Sequence, residues 1–162
     1  APVVGTMNAP TPPPITIRNM GYDELYWVLD SWMKSWAQAA RRRSLVSGEA
    51  RRLPERVVLT PGAVLVADVP VDGQPFPVGW IAWQPGTVHY VYTRFVQRRQ
   101  GVASALIRAV SSASPIIRAT TLTPAGRAFA IAAIGHVPRH DPWPNLSGVV
   151  HAERAMVGSH NP

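Results

Sequence analysis

Apolar positions change their spacing along the chain, and each change marks a different kind of element. After a proline-rich start, Ile15 to Arg18 alternates apolar and polar, which predicts a short strand. From Leu25 the period lengthens. Leu25, Val28, Leu29, Trp32 and Trp36 fall at i, i+3, i+4, i+7 and i+11, one face of a helix opened by Gly21 and Asp23. Tyr26, Trp27 and Met33 widen that stripe, and so aromatic a stripe reads first as core and second as one wall of a substrate groove. GEARRLPERVVL predicts a short second helix that Pro54 interrupts or ends. Strand patterns then follow at 63–69, 78–84 and 88–95, divided by turns at Asp72-Gly73 and Pro85-Gly86, so the expectation is an antiparallel meander. A helical pattern begins at Gly101, and residues 115–122 read as a further strand. Thr123-Pro124 is a start signal and Gly135 a stop signal for the next helix. From His136 the chain is rich in Pro, Trp and His and reads mostly as loop, with one more strand pattern at SGVVHA, residues 147–152.

Composition narrows the class. The 162 residues suit one domain with a real core, and 46% hydrophobic against 15% charged residues is a globular balance. Residues 1–14 hold five prolines and no periodicity, an arm that is either a loose tail or docked on a neighbour. The net charge is +7, and Lys34 is the only Lys beside fifteen Arg, which points first to a GC-rich genome and second to an anionic partner. Arg41, Arg42, Arg43, Arg51, Arg52 and Arg56 form a basic segment that reads as a solvated face. It lacks the interleaved aromatics of a nucleic-acid platform, so no nucleic-acid partner is expected. Without Cys there is no disulfide framework and no thiolate chemistry. His136 and His140 are four apart, but Pro138 between them argues against a shared helix face, so no metal is expected. No run is long enough to cross a membrane and the start lacks a secretory pattern, so the expectation is a soluble cytoplasmic protein. No Gly-x-Ser-x-Gly elbow supports a hydrolase.

The densest signal is VHYVYTRFVQRRQGVASALIRAV, residues 88–110. It reads as a strand, a turn rich in Arg and Gln, a glycine and a helix N-terminus. The first N–H groups of a helix have no intrahelical partner and the dipole there favours negative charge, so such an end is a ready anion site. Arg98 and Arg99 add two cations beside it, and a diphosphate is the natural guest.

Arg98-Arg99-Gln100-Gly101-Val102-Ala103 also resembles the Arg/Gln-x-x-Gly-x-Gly/Ala signature of the GNAT N-acyltransferase superfamily. The element order fits that fold over about residues 15–137, leaving 1–14 as an arm and 138–162 as a tail packing on the domain. More narrowly, GWIAW and the stretch from Val88 to Ile107 look like small GNAT-like proteins of tailed-phage genomes. The resemblance implies an α/β (α+β) fold: a mixed central sheet with an antiparallel N-terminal meander, splayed at the cofactor site, and helices on both faces. It also implies acetyl-CoA as acyl donor. Backbone amides of Arg98, Arg99, Gln100, Gly101, Val102 and Ala103, with Ser104 in the first turn, would cradle the pyrophosphate. Val91, Tyr92 and Thr93 would pair with the pantetheine arm, and a bulge would splay this strand from residues 118–121. Thr93 stands where the family typically has Val.

For catalysis the resemblance implies a base and a proton donor, and the chain departs from the family at both. Many relatives carry a Glu on the strand before the signature. Here only His89 titrates near neutrality on that strand, and by alternation it shares a face with Val91 and Thr93. His89 is the candidate base, and a half-buried structural histidine is the other reading. The family's late-helix Tyr is replaced by Ile131, leaving Tyr92 or Tyr90 as the proton donor. The expected activity is acetyl transfer to a primary amine of a small molecule or protein. The alternative is a catalytically silent GNAT-fold binding or phage-associated protein. A homodimer is the family-level expectation, and the scattered carboxylates (Asp23, Glu24, Asp30, Glu49, Glu55, Asp68, Asp72) do not name the acceptor.

Overall fold

The computed structural model describes residues 11–40, 52–121 and 124–141. The first ten residues of the proline arm, the Arg41–Arg43 cluster, Trp143 and the 147–152 strand pattern lie outside the described residues. In chain order the elements are β1 (Thr16–Asn19), a 3-10 turn (Tyr22–Glu24), α1 (Leu25–Ala40), α2 (Arg52–Val58), β2 (Val64–Val71), β3 (Gln74–Gln84) and β4 (Thr87–Thr93). A second 3-10 turn (Phe95–Gln97), α3 (Val102–Ala113), β5 (Arg118–Ala119), α4 (Pro124–Ile134) and β6 (Arg139–His140) follow. The strands form one mixed sheet in the order β1-β2-β3-β4-β5-β6, antiparallel through β4 and parallel from β4 to β6. This is the mixed α/β architecture the sequence implied.

Helices cover both faces. On one, α3 lays Val102, Leu106, Ile107 and Val110 on Ala67, Val69, Val78, Ile81 and Val88, with Phe129, Ala133 and Ile134 of α4 packed against them. On the other, Val28 and Trp32 of α1 and Val57 and Val58 of α2 meet Val64, Val66, Trp80 and Ala82. The β2–β3 hairpin closes on Asp72 and Gly73, both at positive φ (51° and 74°), the two-residue turn whose twist matches the strands.

Four expectations need correcting. Pro54 neither interrupts nor ends α2: it is the third residue of Arg52–Val58, where its missing N–H has no intrahelical partner in any case. Tyr26 does not widen the buried stripe: it is 82% exposed, because it sits on the far side of α1 from Val28 and Trp32. The strand expected over 115–122 pairs only at Arg118 and Ala119, because β4 diverges from it beyond Val88. Arg139–His140, read as loop, adds a short parallel strand beside β5, and His136 Nε2 lies 2.9 Å from the Ile116 carbonyl oxygen next to it.

One partly buried charge network ties β1 to β2. Arg18 lies opposite Val66, which puts it diagonally beside Asp68 on the same sheet face. Its Nε and Nη2 donate to Asp68 Oδ2 and Oδ1 at 2.6 and 3.0 Å, and its Nη1 and Nη2 donate to Glu24 Oε2 and Oε1 at 2.7 and 2.6 Å. Glu24 also accepts the Gly21 N–H at 2.7 Å, so the same carboxylate caps the entry to α1. The Arg18 guanidinium and then that N–H hold the Glu24 carboxyl below its usual pKa.

Candidate functional site

The site begins with a bulge. Ala82 pairs with Tyr90 but Trp83 pairs with Val88, so His89 is the extra residue of β4. A bulge bends its strand and raises the local twist. Beyond it, β4 and β5 part: their pairing stops at Val88–Ala119, with the Thr120 N–H still donating to the Val88 carbonyl at 3.0 Å. The Arg94 N–H donates to Val78 on the β3 side, at 2.8 Å. By the strand's period of two the backbone groups of Tyr92 also face β3, and those of Val91 and Thr93 face the parted side.

A cavity of about 600 Å³ fills the parting. It reaches through the sheet: Ser35 of α1, Tyr90 and Tyr92 border it on the α1 side, and Val91, Val102, Ile107, Phe129 and Ala130 on the α3–α4 side. At its rim stand Arg98, Arg99, Gly101, Ala103 and Ser104.

The rim loop has an unusual backbone. Arg99 takes φ 64° and Gly101 φ 82° with ψ 5°, two left-handed residues with one between them. Alternation of this kind turns successive N–H groups towards one side, a concavity suited to an anion. Gly101 is the N-cap of α3 and supplies no capping side chain, and the first intrahelical bond of α3 runs from the Ala105 N–H to the Gly101 carbonyl at 2.9 Å. The N–H groups of Val102, Ala103 and Ser104 therefore have no partner within the helix. A Cβ on Gly101 would meet nothing within 4 Å, so glycine is needed here for its φ and not for crowding. Crowding decides Gly79 instead. A Cβ there would stand 2.7 Å from the Tyr92 carbonyl oxygen and 2.8 Å from Val102, so glycine lets the start of α3 press onto β3 and β4.

Of the residues expected at a coenzyme site, Val91, Tyr92, Thr93, Arg98, Arg99, Gly101, Val102, Ala103 and Ser104 all border the cavity. Gln100 does not. Among the described residues, no three His, Asp or Glu side chains gather as a metal would need. Two features escaped the sequence reading. Ser35, one residue before the stripe position Trp36, reaches the cavity from α1. Behind the tyrosines lies an aromatic stack: Trp80 is 5.7 Å from Tyr90 and 5.8 Å from Tyr92, and Trp32 is 5.8 Å from Tyr90, ring centre to ring centre. The HYVY alternation of β4 was the available signal, since it puts Tyr90 and Tyr92 on one face. Burial raises the Tyr90 phenol pKa, with Ser35 partly opposing it.

Comparison with known proteins adds likenesses of fold. No protein-family model matches the sequence, and no curated protein does. Among solved structures, the chain is similar to diaminobutyrate acetyltransferase EctA from Paenibacillus lautus, solved with L-2,4-diaminobutyric acid and coenzyme A: TM-score 0.49, 16% identity, covering 76% of this chain and 74% of that one. It is also similar to ribosomal-protein-alanine N-acetyltransferase from Brucella melitensis biovar Abortus 2308, with TM-score 0.46, 18% identity and coverage of 80% and 94%. A third likeness is apo-form YjaB from Escherichia coli, with TM-score 0.43, 24% identity and coverage of 62% and 67%.

His89 is not brought to the cavity. As the bulge residue it turns into the sheet junction and is fully buried. The Thr120 hydroxyl donates to the His89 carbonyl at 3.1 Å, and His89 Nδ1 lies 3.3 Å from the Thr120 hydroxyl oxygen. With the hydroxyl proton so used, Nδ1 is the donor of that pair and Nε2 is left as a bare acceptor without a partner among the described residues. Burial pushes the imidazole pKa down from 6.5 to about 4. Between those values the unfolded chain takes up a proton that the folded chain refuses. Stability is therefore full above pH 6.5 and falls as pH drops towards 4, by roughly 3 kcal/mol. Urea unfolding at pH 7.5, 5.5 and 4.5 should show that loss, and His89→Gln, although less stable at pH 7.5, should show a shallower slope. An unchanged slope in the variant would place the acid sensitivity in other groups.

Proposed function

We propose that this chain is a GNAT-type acyltransferase that binds acetyl-CoA across the parted strands and passes the acetyl group to a primary amine. The observation that carries the reading is the coincidence of three features at one cavity. They are the parting of β4 from β5, the backbone groups of Val91 and Thr93 that face the parting, where the Thr93 carbonyl takes only a long 3.4 Å bond from Arg98 Nε, and the uncapped start of α3 beside Arg98 and Arg99. The amides from Arg99 to Ser104 would hold the diphosphate, with the two guanidiniums neutralising its charge. Val91 and Thr93 would hold the pantetheine amides as a neighbouring strand would. A backbone N–H on the parted strand would stabilise the oxyanion, and holding amine and thioester together supplies much of the rate. Tyr92 lines the cavity and is the proton donor to the departing thiolate in this reading. His89 is left out of it, since it does not border the cavity.

The likeness to phage-encoded proteins, a homodimer, a cytoplasmic location and the division into arm, domain and tail belong to the same proposal. Among the described residues no helix is long and apolar enough to cross a membrane. A second reading, a silent binding module of the same fold, is favoured by one observation. None of the described carboxylates or histidines borders the cavity, and Ile131, 55% exposed, stands where the GNAT resemblance implies a tyrosine.

Calorimetric titration with acetyl-CoA tests the reading. Binding at micromolar affinity, weakened at least 10-fold for acetyl-pantetheine, which lacks the diphosphate, is expected. Equal affinity for both would remove the rim loop from the site. Release of free thiol on adding amines separates the transferase from the silent module.

A further inference from the structure

Resting on the acyl-coenzyme reading above, we infer that the acceptor side of this cavity takes an aromatic amine, with its nitrogen attached to the ring and uncharged at neutral pH. Two independent observations lead there.

The first is charge. Among the described residues, the charged side chains bordering the cavity are Arg98 and Arg99. None of the described carboxylates (Asp23, Glu24, Asp30, Glu55, Asp68, Asp72 and Asp141) borders it. Asp68 and Glu24 are committed to Arg18, and Asp30 is paired at 2.8 Å with Lys34. A diphosphate would at most cancel the two arginines, leaving no surplus negative charge among the described residues to receive an ammonium group. An alkylamine is almost wholly protonated at neutral pH. It would have to enter as a cation, beside cations, and then find a base. An amine conjugated to an aromatic ring avoids both demands, because its nitrogen is already neutral.

The second is shape. Tyr90 and Tyr92 border the α1 side of the cavity and are fixed from behind by Trp80, with Tyr92 nearly parallel to it at 21°. Trp27 meets the Tyr92 ring edge-on at 6.3 Å. The wall is thus rigid and aromatic, the surface on which a flat ring packs by offset stacking or edge-to-face contact. Ser35 places one hydroxyl at this wall, able to accept a hydrogen bond from a ring amino group.

In the reaction the nitrogen bonds to the acyl carbon and the carbon–sulfur bond breaks. The nitrogen gives one proton to water, and the thiolate takes one from the Tyr92 hydroxyl, which solvent then restores. Nothing has to be deprotonated before attack.

The experiment uses the full chain with acetyl-CoA and three acceptors: 4-methoxyaniline, phenethylamine and spermidine. Thiol release is followed from pH 6.5 to 8.5, and acetyl-CoA binding is titrated on the same preparation. The expected result is a kcat/KM for the aniline at least 10-fold above the other two and nearly flat with pH. Tyr90→Leu should lower it several-fold while Tyr90→Phe keeps it, and Ser35→Glu should move the preference towards spermidine. Bound acetyl-CoA with spermidine or phenethylamine preferred, or with none of the three acetylated, overturns the acceptor inference alone. Absence of acetyl-CoA binding overturns the underlying reading of the site.

Discussion

Arg18→Met is expected to lower stability by roughly 2–4 kcal/mol, the low end reflecting the part of Arg18 that water still reaches. The variant keeps the aliphatic stem and removes the guanidinium. Asp68, only 4% exposed, then keeps a buried carboxylate with two hydrogen bonds lost, and Glu24 loses two more. For a chain of this size that corresponds to a fall of roughly 5–12 °C in Tm. The double variant Arg18→Met/Asp68→Asn should recover part of the loss, because it removes the stranded charge. A single variant within ~0.5 kcal/mol of the parent would mean that water solvates Asp68 well without Arg18. The pH dependence also has a definite sign. Glu24's lowered pKa stabilises the fold above its ordinary value of 4.5, and this is lost as pH falls further.

Gly101→Glu is expected to reduce acetyl-CoA affinity at least ~100-fold, about 2.7 kcal/mol. The open space around the missing Cβ means that the side chain fits, so the fold survives, with the positive φ costing roughly 1–2 kcal/mol. What changes is the charge in front of α3, where the unpartnered N–H groups favour an anion that the carboxylate now repels. Gly101→Asn separates the two effects, since Asn tolerates the left-handed region and brings no charge. It should bind within several-fold of the parent. Parental affinity in Gly101→Glu would put the diphosphate elsewhere.

How far the sequence disclosed this site depended on whether the signal was local. The start of α3 was legible because Gly101, its φ and the helical period after it are properties of a few consecutive residues. The meander was legible because Asp72-Gly73 and Pro85-Gly86 punctuate alternating runs. The position of His89 was not, because period-2 counting assumes an unbroken strand. The bulge makes His89 the extra residue, and only pairing with β3 reveals it. The short reach of β5 and the existence of β6 likewise depend on partners distant in sequence. So does the aromatic wall. Tyr90 and Tyr92 show themselves on one face of β4, but Trp80 behind them and Ser35 beside them arrive from β3 and α1. The tight fit at Gly79 was invisible, since an ordinary extended glycine in a strand carries no mark of the helix pressed against it.

The most direct test is backbone amide NMR of the labelled protein as coenzyme A is added. The account predicts that the amides of Arg99 to Ser104 and of Val91 and Thr93 shift first and most. Amides of α2 and of the β2–β3 hairpin at Asp72-Gly73 should stay in place. Saturable shifts centred on any other surface, with the start of α3 and the parted edge of β4 unmoved, would contradict it.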